Sequence, residues 1–448
     1  MVRLHYGSHI KHNTPMFTSS RRRFVLGALI LGIHKIIPAS AHSLAWCDDS
    51  RTMRGLNTLQ SDGFILSDGG VYSAHPYANG GSFLDIMPPE RRALIKSTGF
   101  DFIRMTIDFG PLLSAANNKA LDVLIDDLIS HINAYTGSKL KVIVTMMAGG
   151  DPTTGWQNMT DGVAGPKYQR LLNVWRRFAG AIGGSFDSSQ VAVELFNEPP
   201  FRRDIAGDAW PIQQKHLFDR VRAVLPGHTI VVTGDDLSAI DRVVILNPAD
   251  YDANTMYRIN GYEPFSISHQ GDGYFRYIHR LTFPPEDHPG GKAQAISDVT
   301  AAINADNSLS FLDKLTIVTN FTKLRHAEGV DTYFDTPCNS NFIENRIKKV
   351  TDWAANHGLS NRHIIVGEFG ARGDFRIKGA DDRLVDTLAG TLTTRANFMR
   401  TWREKIEAAK LGAWCAHEAR GPDGFSLTQN EVMWKFTPEL MTALGLNA

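Results

Sequence analysis

Residues 191–200 read VAVELFNEPP, and the way this stretch ends decides how the chain is read. Of its first six residues five are apolar, the pattern of a strand buried on both faces, as in a parallel sheet covered by helices. It then runs into Asn197, Glu198, Pro199 and Pro200. Burying an amide or a carboxylate without partners is expensive. Either the chain surfaces here, or chemistry is done at the end of the strand. Pro199 removes a backbone donor and helps to stop the strand.

Outward from this stretch the same kind of run recurs. Short β-branched or apolar segments lie at 102–107, 141–147, 229–233, 255–259, 363–369 and 411–416, with a weaker first strand at 53–57. Between them, apolar residues at helical spacing predict helices at 89–98, 121–135, 168–181, 210–225, 341–356 and 394–409. Strand then helix, about eight times over, is the signature of a parallel sheet with helical crossovers. That number of units suits a closed (β/α)8 TIM barrel of the α/β class better than an open doubly wound sheet. The absence of G-x-G-x-x-G after the first strand leaves a dinucleotide fold little support. The stretch 263–338 is too long for one loop and helix, so it reads as a long insertion after strand six, on the side where barrel active sites lie.

Composition narrows the function classes. The apolar fraction is 43%, enough for a large core, and Lys plus Arg balance Asp plus Glu at 47 each. With no long basic run outside the N-terminus, nucleic acid is not the expected partner. At the N-terminus, Ser20-Arg21-Arg22-Arg23-Phe24-Val25-Leu26 has the form of a bacterial twin-arginine signal, followed by the apolar run 25–33 and Pro38-Ala39-Ser40-Ala41, an A-x-A-like cleavage site. The run is shorter than the about 20 residues a permanent anchor needs. Residues 1–41 are therefore expected to be a signal read by the twin-arginine translocon, 42–448 a single catalytic domain, and the product periplasmic or secreted. Cys47, Cys338 and Cys415 form neither a metal pattern nor a disulfide framework, though one bridge stays open.

In a barrel all strand C-termini open on one face, so residues that end different strands converge there. Glu198 ends the fourth strand and Glu368, in Gly367-Glu368-Phe369-Gly370, ends the seventh, across the mouth. Two carboxyls so placed can hydrolyse a glycosidic bond, one protonating the leaving oxygen and the other attacking the anomeric carbon. Such chemistry needs no cofactor.

Several segments together resemble glycoside hydrolase family 5, the cellulase-like members of the retaining (β/α)8 clan. Besides Asn197-Glu198-Pro199 and Gly367-Glu368-Phe369-Gly370, they are Arg54-Gly55-Leu56-Asn57 on strand one, the stretch 99–104 (GFDFIR) on strand two, and Tyr262-Glu263-Pro264-Phe265 with Ser268-His269-Gln270-Gly271 after strand six. The likeness covers roughly residues 51–425. It implies Glu198 as acid/base, Glu368 as nucleophile, and carboxyls about 5 Å apart for a retaining double displacement. It further implies that Asn197 holds the sugar 2-hydroxyl, that Arg104 pairs with Glu368 and keeps it ionised, and that Tyr262 hydrogen-bonds near the nucleophile. Arg54 and Asn57 would support the site from below.

The departures bear on substrate. Where the family commonly has His after strand three, this chain has Thr145-Met146-Met147-Ala148; Asn260 stands at the His of strand six; and His417 falls where a Trp usually forms the floor under the reacting sugar. Asn260, His417 and Trp414 are accordingly candidate substrate contacts, while Trp156, Tyr274 and Phe275 fit either outer sugar platforms or a mini-core. Asp235 and Asp236 are placed to cap the next helix. The expected activity is hydrolysis of a β-glucan, most simply as an endo-β-1,4-glucanase. An exo-acting, β-1,3/1,6- or mannan-directed enzyme, or a catalytically weak polysaccharide-binding protein serving exopolysaccharide export, are the alternatives. A metal-dependent barrel hydrolase would want H-x-H at strand one, and Asn57-Thr58-Leu59 supplies none.

Overall fold

The computed structural model describes residues 44–47, 50–58, 72, 76–78, 86–147, 162–199, 210–272, 275–323, 329–373, 391–420, 424–428 and 434–447. The signal segment expected at 1–41, and Trp156 and Tyr274, lie outside the described residues.

Eight strands close a parallel barrel in sequence order: β1 (Met53–Asn57), β2 (Phe102–Asp108), β3 (Lys141–Met147), β4 (Val191–Glu194), β5 (Ile230–Thr233), β6 (Thr255–Gly261), β7 (Ile364–Phe369) and β8 (Ala413–Ala416). The described helices of ten or more residues are α1 (Pro89–Thr98), α2 (Asn118–Gly137), α3 (Pro166–Ser185), α4 (Trp210–Arg222), α5 (Gly291–Ala305), α6 (Phe311–Lys323), α7 (Ser340–Asn356) and α8 (Leu392–Ala408). Their starts follow capping rules: prolines open α1 and α3, and the side chains of Asn117, Asn339 and Thr391 accept backbone N–H groups at the first turns of α2, α7 and α8. Between β6 and β7 the chain runs through α5, α6 and α7. None of the described helices is long and apolar enough to cross a membrane.

Side chains of a strand alternate between its faces, and here the two faces carry two separate cores. One cluster takes Met53, Phe102, Ile143, Ala192, Val231, Met256, Ile365, Ala413 and Cys415, at least one residue from every strand, and can only be the barrel lumen. Trp46 joins it, edge-on to Phe102 at 4.9 Å, so that residues 44–47 plug the end of the barrel at which the strands begin. The other cluster takes the alternate positions, such as Leu56, Ile103, Val193, Val366 and Trp414, and packs them against the helices. Gly55 is required by the first arrangement: a Cβ there would lie 2.1 Å from the Phe102 ring. Cys47, Cys338 and Cys415 are all buried and unpaired with one another, so no bridge forms among them.

Two irregularities occur at the mouth. The β6–β7 register shifts after Ile259, so that Asn260 lies opposite Glu368, and the β7–β8 register shifts between Val366 and Phe369. Bulges of this kind re-aim side chains next to active sites.

Candidate active site

The lumen parity that places Phe102, Ala192 and Met256 below also places Arg104, Glu194 and Arg258 above them, two residues further along the same strands. These three side chains and Glu368 form a buried quartet of two cations and two anions. Arg104 grips Glu194 with two charged hydrogen bonds, Nε to Oε2 at 2.7 Å and Nη2 to Oε1 at 2.6 Å. Its Nη1 reaches Glu368 Oε1 at 2.8 Å and Asn57 Oδ1 at 2.8 Å, while Nη2 also donates to Asn197 Oδ1 at 2.7 Å. Arg258 donates from Nη1 to Glu194 Oε1 at 3.1 Å and from Nη2 to Glu368 Oε1 at 2.9 Å. Both guanidiniums are fully buried. Buried charges survive only when paired and hydrogen-bonded, which this arrangement achieves with balanced charge.

Glu368 thus has one oxygen held by two arginines, and its Oε2 accepts the Tyr262 hydroxyl at 3.0 Å. Burial pushes its carboxyl up, but Arg258 and then Arg104 outweigh burial, with His417 and the Tyr262 hydroxyl adding to them, and hold it at about 2. Glycine before it has a definite cause. A Cβ on Gly367 would stand 2.2 Å from Arg258 Nε, so the guanidinium crosses directly over that residue.

Glu198 lies four residues beyond the last residue of β4, not at the strand end itself. The ladder continues irregularly, with Leu195 N–H to the Val231 carbonyl at 3.1 Å and Asn197 N–H to the Met146 carbonyl at 2.7 Å, before Glu198 turns off at φ +46°. For a residue with a Cβ this left-handed backbone is uncommon and is often met at functional sites. Unlike Glu368, Glu198 keeps partial access to the surface. Burial raises its carboxyl and the Glu368 charge raises it further; Arg258, His417 and Arg104 pull the other way, leaving it at about 7. One carboxyl ionised and the other protonated near neutrality is the division of labour that acid-assisted substitution requires.

His417, immediately after β8, sits edge-on to Tyr262 with ring centroids 6.1 Å apart and to Phe425 at 5.2 Å. His269 joins the same group, 5.1 Å from Tyr262 and 5.3 Å from Phe425. Phe275 is buried against Phe265 and packs as mini-core. Thr145 is fully buried, in register with Thr106 on β2 and Glu194 on β4. Among the described residues no group of three or more His, Cys, Asp or Glu could hold a metal ion.

The structure therefore brings Glu198, Glu368, Asn197, Arg104, Tyr262, Asn260, His417 and Asn57 together. Asn57 ties β1 to β7 and β2, donating to the Gly367 carbonyl at 3.0 Å and accepting from Arg104. Two expected residues lie elsewhere, and strand parity is the reason. Trp414 alternates with the lumen residues Ala413 and Cys415, so it faces the helices: it is fully buried, edge-on to Phe369 at 5.6 Å, with its indole N–H on Glu407 of α8 at 3.3 Å. It is no substrate contact. Arg54 alternates with Met53 and Gly55 and also points outward, donating to the Gly445 carbonyl at 2.9 Å and pairing with Glu407 at 3.4 Å. Asp235 does not cap a helix but forms an ion pair with Arg242.

Glu194 and Arg258 were not among the expected site residues. Arg258 was legible, because it precedes Asn260 by two on one strand and so shares its face, whereas Glu194, the single polar residue in VAVELF, lies inside a run that reads as core.

Comparison with known proteins agrees with this geometry. Residues 89–400 match the family model Cellulase (glycosyl hydrolase family 5). Endoglucanase 3 of Fibrobacter succinogenes is 24% identical over 293 residues, which are 64% of this chain but 38% of that protein, so the chain spans well under half of that relative's length. Among solved structures, a family 5 xyloglucanase from Paenibacillus pabuli superposes with a TM-score of 0.60 at 15% identity, covering 89% of this chain and 98% of that one. The endoglucanase of the hyperthermophilic Thermotoga maritima gives 0.56 at 16% identity over 88% and 96% of the two chains. The cellulose synthase subunit Z of Clostridioides difficile gives 0.56 at 18% over 88% and 99%. A barrel with a carboxyl pair at its mouth and a family match over most of its length leave one assignment: this chain belongs to the cellulase family, glycosyl hydrolase family 5.

Proposed function

We propose that the chain is an exported endo-β-1,4-glucanase that hydrolyses its substrate with retention, by double displacement through a glycosyl ester on Glu368. The observation that carries the reading is the opposite electrostatic setting of the two carboxyls. Glu198, held protonated, gives its proton to the glycosidic oxygen as that bond breaks. Glu368 Oε2, engaged by the Tyr262 hydroxyl while Oε1 carries both guanidiniums, attacks the anomeric carbon. In the second step Glu198, now a carboxylate, takes a proton from water. The water oxygen bonds the anomeric carbon and Glu368 leaves as carboxylate.

Asn197 suits the 2-hydroxyl. A guanidinium has only donors, so Asn197 Oδ1 must face Arg104 and its amide N–H groups are left for the sugar. His417 beside Tyr262 gives the floor a smaller, polar ring. The endo-β-1,4 assignment draws on the endoglucanase relative and the family, and the segment at 1–41 supports export through the twin-arginine route.

Turnover of aryl β-glycosides and soluble β-glucans, measured beside Glu198→Ala and Glu368→Ala, tests the reading. Activity lost in both variants, with azide restoring Glu368→Ala as the inverted glycosyl azide, is the expected result. A parent without turnover that still binds one glucan would make the chain a binding protein instead. N-terminal sequencing of exported protein tests the signal, with a first residue near position 42 expected.

A further inference from the structure

Arg258 touches both halves of the site, and the chemistry of its partners fixes more than charge. Its Nη2 donates to Glu368 Oε1 at 2.9 Å and to Asn260 Oδ1 at 2.6 Å. The Asn260 amide then donates from Nδ2 to Glu198 Oε1, and to the Leu237 carbonyl at 3.1 Å. This amide cannot be reversed. On one side stands a guanidinium, which only donates; on the other a backbone carbonyl, which only accepts. Glu198 Oε1 is therefore always met by an N–H. A proton on Oε1 would oppose that N–H, so the proton of the neutral acid belongs on Oε2.

We propose that Arg258 and Asn260 form a positioning relay for the general acid, which assigns the transferable proton to Oε2 of Glu198 and ties its orientation to the nucleophile through one guanidinium nitrogen. The inference rests on Glu198 being the acid of the proposed hydrolysis. The relay is also anchored from the β5 side. Asp236, Leu237 and Ser238 follow one another at φ +53°, +58° and +63°, a left-handed run that non-glycine residues sustain only where their surroundings dictate it. Two of the three are held by the relay: Leu237 through its carbonyl, and Ser238 through its hydroxyl, which accepts Arg258 Nη1 at 3.0 Å. The titratable and charged groups acting on Glu198 are Glu368 from β7, Arg258 from β6, His417 after β8 and Arg104 from β2, and none of them is itself substituted when Asn260 is changed.

The test is the leaving-group dependence of kcat/KM in parent, Asn260→Ala, Asn260→Asp and Arg258→Lys, using 2,4-dinitrophenyl and phenyl β-cellobiosides. Dinitrophenolate leaves without a proton, whereas phenoxide needs the acid, whose contribution is typically about 10²–10⁴-fold. Asn260→Ala is expected to lose about 10²-fold on the phenyl substrate and far less on the dinitrophenyl one, by that same range for acid catalysis, whereas Arg258→Lys, which also loosens Glu368, should slow both substrates and the phenyl one more. Asn260→Asp keeps the acceptor for Arg258 but opposes Glu198 with a second carboxylate, and should show the same split. Asn260→His, which restores a ring N–H donor, should recover phenyl turnover. Equal losses on both substrates in folded Asn260 variants, or none, would overturn the relay while leaving the hydrolase reading intact. A parent that turns over neither would overturn both.

Discussion

Replacing Glu194 by Gln tests whether the quartet under the site is a unit. The side chain keeps its size, but Arg104 loses two charged acceptors, at 2.7 and 2.6 Å, and Arg258 loses one at 3.1 Å. Two buried guanidiniums then face one carboxylate. Removing one partner of a buried pair costs about 3–5 kcal/mol, because the charge left behind stays buried. Urea unfolding should report a loss of that size, read as a lower midpoint at unchanged slope. The companion is Glu194→Gln with Arg258→Met, which removes one charge of each sign and leaves Arg104 balanced by Glu368. Residues sharing a network couple by about 0.5–3 kcal/mol, so the double variant should be less destabilised than the sum of the singles. A single variant within about 0.5 kcal/mol of the parent, or a strictly additive double, would refute the description of these four groups as one charge-balanced unit.

Glu198 should make the fold pH-sensitive in a direction opposite to that of most carboxylates. An unfolded Glu releases its proton near about 4.3, whereas the folded one holds it to about 7, so the parent loses stability as pH rises across that interval. Glu198→Gln should therefore match the parent near pH 4 and melt above it at pH 8; no widening of the gap would count against the raised carboxyl. Gly367→Ala puts a Cβ 2.2 Å from Arg258 Nε, and should destabilise by the about 1–3 kcal/mol typical of overpacking while lowering kcat. A fully active Gly367→Ala would show that Arg258 need not lie where it does. Trp414→Phe removes the indole N–H on Glu407, a loss of about 1 kcal/mol, and should leave KM unchanged; a raised KM with normal stability would return Trp414 to the substrate.

Most of the barrel could be read in advance, because most of its strands are nearly continuous apolar runs and several of its helices carry caps or prolines at their starts. Glu368 was readable for the same reason, as a lone carboxylate ending such a run between glycines. What failed was parity. The lumen face of a strand is decided by which residue faces inward at its start, and in β1 and β8 both faces are apolar or small over several positions, so Arg54 and Trp414 carried no mark of facing outward. Glu194 failed for the converse reason. Its neighbours read as core, and a carboxylate inside an apolar run makes sense only once the two arginines that meet it, from β2 and β6, are known to converge. Such partners lie 90 and 64 residues away in the chain. Long-range pairing of that kind leaves no local periodicity.

The charge count of the assembled site then accounts for the role of acid proposed for Glu198. Arg104 and Arg258 are neutralised by Glu194 and Glu368, so Glu198 is a third carboxyl beside two cations already matched. An excess negative charge in such a site is relieved most cheaply by taking a proton, and Glu198 is the carboxyl met by the Asn260 amide, whereas Glu194 and Glu368 are met by guanidiniums. It follows that altering the balance away from Glu198 should move its titration. In Glu194→Gln one cation is released from its partner, and the carboxylate of Glu198 becomes the balancing charge. Its pKa should fall, so the alkaline limb of the pH–kcat/KM profile, where the acid proton is lost, should move to lower pH. The acid limb, set by Glu368, should not rise, since both arginines still face it. An alkaline limb that stays in place or moves upward would mean that burial alone, and not the count of charges, sets the acid.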